Sequence, residues 1–77
     1  MLTNTEAQRR LQERFDLLNW SMRTMERDDV ARIYVFNLSG DAIGNVVIDS
    51  RGFYAHPEHN EPTIRQLFER LVAKALG

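Results

Sequence analysis

Residues 30–55, VARIYVFNLSGDAIGNVVIDSRGFYA, decide how this chain folds. Within them "VARIYVFNL" and "AIGNVVID" are rich in β-branched and aromatic side chains, which pack well on a pleated surface, and they predict two strands. Ser39-Gly40-Asp41 joins these strands as a hairpin connection. Asp49-Ser50-Arg51-Gly52 places aspartate first and glycine fourth, as a type I turn prefers, so "FYA" begins a third strand. The expectation is a three-stranded antiparallel meander. Gly44, isolated inside the second strand, predicts a bulge or a close backbone approach.

Helical patterns flank this segment. Thr3 followed by Glu6 fits a capping box, so a helix is expected from near Asn4. Ala7, Leu11, Phe15, Leu18, Met22 and Met25 recur at spacings of four and three and share one face, while Arg9, Glu13, Asp16, Arg23 and Arg27 fall away from it. Asp28 and Asp29 oppose the dipole of a helix C-terminus, which places the end near Arg27. A second helix is expected from Thr63, with Gln66 completing another capping box behind Pro62. Its apolar stripe is Ile64, Leu67, Phe68, Leu71, Val72 and Ala75. The order α-β-β-β-α makes residues 1–77 one small α+β domain, a two-layer sandwich.

A domain of 77 residues buries only about 60% of its unfolded surface, so a metal or self-association would help it. With no cysteine, thiol catalysis and thiolate-bound metals are excluded, and a reducing cytoplasm is the expected compartment. Ten basic residues against eleven acidic ones offer no bulk attraction for a polyanion. No stretch has the roughly 18 apolar residues of a membrane span, and no basic-then-apolar secretion signal opens the chain.

The strands are apolar on both sides. Ile33 and Val35 oppose Tyr34, Phe36 and Leu38, and Val46 and Ile48 oppose Ile43 and Val47. A sheet covered on one side only should alternate apolar with polar. Either the two helices take opposite faces, or strand edges and loops fold over the second one, or a second copy or another protein covers it. On the long first helix, Trp20 and Leu17 project away from the apolar stripe; Trp20 is then either an exposed interface anchor or a lid over the core's edge.

Both histidines lie in "DSRGFYAHPEHNEP", residues 49–62. His56 and His59 could chelate a metal with Asp49, Glu58 or Glu61, but Pro57 and Pro62 point to an irregular connection and no nucleophile accompanies the acids. The segment reads as a surface loop in which Arg51, Phe53, Tyr54 and His56 gather at one end of the sheet to meet a partner.

The element order is similar to that of the double-stranded RNA-binding domain. That resemblance implies a nucleic-acid-binding module whose last helix opens with lysines, whereas "PTIRQLFERLVAK" offers Arg65, Arg70 and Lys74 interrupted by Glu69. Nucleic acid is therefore the disfavoured partner. The preferred expectation is a small non-enzymatic regulator or inhibitor without a cofactor, working as a homodimer or on a protein partner through Leu17, Trp20, Tyr34, Phe36, Arg51, Phe53 and Tyr54. The alternatives are nucleic-acid binding and metal binding by His56 and His59.

Overall fold

The computed structural model describes residues 3–77. Helix α1 spans Asn4–Asp16, strands β1 Ser21–Arg27, β2 Val30–Phe36, β3 Ala42–Asp49 and β4 Gly52–Pro57 follow, and helix α2 spans Pro62–Leu76. The strands form one open antiparallel sheet in the order β1-β2-β3-β4. The class is α+β as expected. The sheet has a fourth strand, because residues 21–27 are extended and not helical.

Helix α1 stops a full element early for a local reason. Asn19 adopts a left-handed backbone, φ 58°, which asparagine tolerates better than most residues. The Trp20 N–H then donates to the Phe15 carbonyl at 3.0 Å and the Asn19 N–H to that of Asp16 at 3.1 Å, the paired bonds of a Schellman termination. The chain reverses into β1. At the other end of α1, the Thr3 hydroxyl accepts from the Glu6 N–H at 3.1 Å, so the expected cap is formed.

Asp28 and Asp29 do not terminate a helix; they are the two-residue connection of the β1–β2 hairpin, across which Arg27 pairs with Val30. Asp28 takes the positive φ, 56°, that this tight reversal needs. The β3–β4 connection turns at Ser50-Arg51, with the Asp49 carboxylate accepting from the Arg51 N–H at 2.8 Å. The second expected capping box is absent: α2 begins at Pro62, whose missing N–H suits the first helical position, and the cap residue Glu61 makes no side-chain bond.

Both helices lie on one sheet face. Leu11 and Phe15 of α1 and Phe68, Val72 and Ala75 of α2 join Ile33, Val35 and Val46 in a single buried cluster. The Phe15 and Phe68 rings stack with centroids 5.9 Å apart, and Gln8 Nε2 donates to Glu26 Oε1 at 2.8 Å to hold α1 over β1.

Gly44 does what its isolation predicts. The β2–β3 register slips between Val35 and Phe36, which pair with Gly44 and Ala42, so Ile43 is the extra residue of a bulge. The bulge turns Ile43 into the core, 1% exposed, and its carbonyl accepts from the N–H groups of Glu58 and His59 at 2.9 and 3.1 Å. A Cβ at position 44 would stand 2.6 Å from the Phe68 ring and 2.8 Å from the His56 carbonyl oxygen. No helix among the described residues is long and apolar enough to cross a membrane.

Candidate functional site, the uncovered sheet face

Strand periodicity settles which side chains face away from the helices. The register aligns Arg23, Tyr34, Asn45 and His56 in one cross-strand row and Met25, Arg32, Val47 and Tyr54 in the next. Arg27 and Val30 extend the surface at one end, Ser21 and Phe36 at the other. Their neighbours along each strand, Met22, Ile33, Val46 and Phe53 among them, pack toward the helical layer.

This face is neither dry nor fully polar. Tyr34, Phe36 and Val47 are half-buried by strand neighbours, while Met25, Val30 and Tyr54 are 61%, 42% and 42% exposed. At its centre Asn45 is 8% exposed, held between neighbours: Arg32 donates to its Oδ1 at 3.3 Å, and its Nδ2 donates to Glu58 Oε1 at 2.6 Å. The amide is satisfied on both sides, so the middle of the face is rigid where it is polar.

The charge on this face differs from that of the whole molecule. Arg23, Arg27 and Arg32 stand on it, and among the described residues the single ion pair is a long contact of 3.9 Å between Arg51 and Asp49. The carboxylates of the face, Asp49 and Glu58, are turned to the Arg51 N–H and to Asn45. The other acids sit elsewhere: Glu6, Glu13 and Asp16 on α1, Glu26 on the helix-facing side of β1, Asp28, Asp29 and Asp41 in turns, Glu61 before α2 and Glu69 on it.

The sequence-predicted residues scatter over this geometry. Tyr34, Phe36 and Tyr54 come together on the uncovered face. Trp20 does not, and the expected Leu17–Trp20 helix patch is absent. Once α1 ends at Asp16, Trp20 swings under Phe15, 7% exposed, with ring centroids 5.7 Å apart. Leu17 is left 84% exposed in the connection. Phe53 faces the helical layer and packs on the core, on the opposite side of β4 from Tyr54, so the expected cluster of Arg51, Phe53, Tyr54 and His56 is split between two faces and a turn. His56 is on the uncovered face. His59 Nδ1 accepts from the Glu61 N–H at 3.1 Å, away from it, and no metal-binding group of three acids, histidines or cysteines occurs among the described residues.

No protein-family model, curated protein or solved structure matches this chain.

Sequence reasoning missed Arg23, Met25, Arg27 and Arg32 as members of the face. The first three fall in the stretch whose apolar spacing is helical; the one signal against it was the Asn19-Trp20 pair, a helix stop and its hydrophobic clasp. A second surface feature lies at the far end of the helical layer: a concavity with an apolar floor of Ala7, Ile48, Phe53 and Leu76 beneath Asp28 and Asp29. Asp49 and Arg51 complete its rim.

Proposed function

We propose that this chain is a small non-enzymatic binding module whose working surface is the uncovered sheet face. One observation carries this reading: the helices take the same side of the sheet, leaving Met25, Val30, Tyr34, Phe36, Val47 and Tyr54 together on the other. Exposed apolar and aromatic side chains grouped on one face, here interleaved with arginines, mark a docking surface. The polar groups at its centre hold one another, as the Arg32–Asn45–Glu58 chain does, which supports a preformed binding platform.

The face favours an anionic partner over a second copy, since self-pairing would bring Arg23, Arg27 and Arg32 together with an identical excess of cations. A regulator or inhibitor acting in the cytoplasm, the compartment that fits the absence of cysteine, belongs to the same proposal. The test is the double variant Tyr34→Asp with Phe36→Asp, compared with wild type for circular dichroism, for solution mass by light scattering, and for retention on immobilised heparin as a general polyanion. With the fold intact, the reading predicts weaker heparin retention. Unchanged mass together with unchanged retention would exclude this face as the working surface.

A further inference from the structure

The partner class can be named from what stands on the face. We infer that the uncovered sheet binds single-stranded nucleic acid, with Tyr34 and Tyr54 as base-stacking platforms and Arg23, Arg27 and Arg32 as phosphate contacts. The inference rests on the reading of this face as the working surface.

Flat four-stranded antiparallel sheets with aromatic side chains on the open side hold unpaired bases by stacking, and cationic side chains beside them follow the backbone. Tyr34 and Tyr54 lie on adjacent rows two strands apart, which places their Cα atoms about 12 Å from each other by strand spacing and the rise between rows. Arg32 and Val47 occupy the second of those rows between Met25 and Tyr54; Arg23 flanks Tyr34 on the other side. The arginines therefore interleave with the aromatics and do not form a separate strip. Each ring is planar, amphipathic and partly exposed, whereas the chain's largest aromatic, Trp20, is spent on the core.

Charge complementarity distinguishes this occupant from a neutral apolar protein surface. The protein's overall charge is −1, whereas the sheet face sets Arg23, Arg27 and Arg32 against the carboxylates of Asp49 and Glu58, which are held at its margin by a backbone N–H and by Asn45. A negatively charged strand is attracted to this face; α2, with Arg65, Arg70 and Lys74 against Glu69, is the competing cationic surface, and the tyrosines distinguish the two. Duplex is the poorer ligand, because paired bases offer no face to a tyrosine and the last helix lacks a basic opening.

Fluorescence anisotropy with labelled oligomers of deoxythymidine and of uridine, about 15 nucleotides long, tests this, with a duplex of the same length as control. Both single strands should bind at about 20 mM salt, and the ratio of their affinities tells DNA from RNA as the natural ligand. With the three arginines on phosphates, log K should fall against log salt with a slope of about −2. Tyr34→Ala and Tyr54→Ala should each weaken binding about tenfold. Tyr34→Phe, which keeps the ring, should stay near wild type, as should Arg70→Ala on α2. Circular dichroism of each variant separates loss of binding from loss of fold.

Absence of single-strand binding by the folded protein at low salt overturns the inference, as does tighter binding of duplex, or indifference to both tyrosine replacements. If single strands fail while the Tyr34→Asp, Phe36→Asp variant still changes solution mass or heparin retention, the occupant is a protein or a second copy; the nucleic-acid inference then falls and the docking face stands. If those properties are also unchanged, both fall.

Discussion

The Trp20 indole packs against the Phe15 ring, 5.7 Å between centroids, across the turn that ends α1. This contact is the hydrophobic clasp of the Schellman motif, and the direction of everything after residue 20 depends on it. Trp20→Ala removes a nearly buried aromatic from a small core and should cost about 3–5 kcal/mol, which for a domain of this size amounts to unfolding or near it. Thermal denaturation measures it. Wild-type tryptophan emission should be blue-shifted and should move to the red on unfolding.

Asn19 holds a conformation that β-branched residues resist. Asn19→Val should destabilise by about 1–2 kcal/mol, whereas Asn19→Gly should be neutral or slightly stabilising. Urea midpoints of the two variants, differing in opposite directions or by this margin, check the turn without touching the core.

The arrangement of strands from Val30 onward was legible because β-branched residues, turn formers and the lone Gly44 all agreed. The span 17–27 was not. Met22 and Met25 continue the helical spacing of Leu11, Phe15 and Leu18, whereas three residues apart they fall on opposite faces of a strand, so apolar periodicity favoured a helix where the chain is extended. The local stop at Asn19 and burial of Trp20 decided it. The error carried over to the candidate site: treating Arg23 and Arg27 as helical left the sheet with three strands and without the basic residues of its edge. That Tyr34 and Phe36 share one face of their strand was legible from parity, but which face the helices cover was not. Phe53 was misplaced because a loop reading ignored that parity.

Gly44→Ala should be destabilising by about 1–3 kcal/mol, since the added methyl meets the Phe68 ring and the His56 carbonyl oxygen at distances that require movement. Combining it with Phe68→Leu, which vacates the ring, should cost less than the sum of the two separate losses, and a double-mutant cycle on chemical denaturation reports that coupling.

Asn45 ties the two middle rows of the uncovered face together. Asn45→Ala leaves Glu58 without its 2.6 Å partner and Arg32 without an acceptor, and should cost about 1–3 kcal/mol. Glu58→Gln, which retains an acceptor, should cost less than Asn45→Ala in the same thermal melt.

The most direct test of the central claim is a nitrogen-15 amide spectrum titrated with a short deoxythymidine or uridine oligomer. The account predicts shift changes concentrated at Arg23, Arg32, Tyr34, Asn45, Val47 and Tyr54, with the outer surfaces of α1 and α2 unmoved. Changes confined to the helices, or none in a folded protein at low salt, would contradict it.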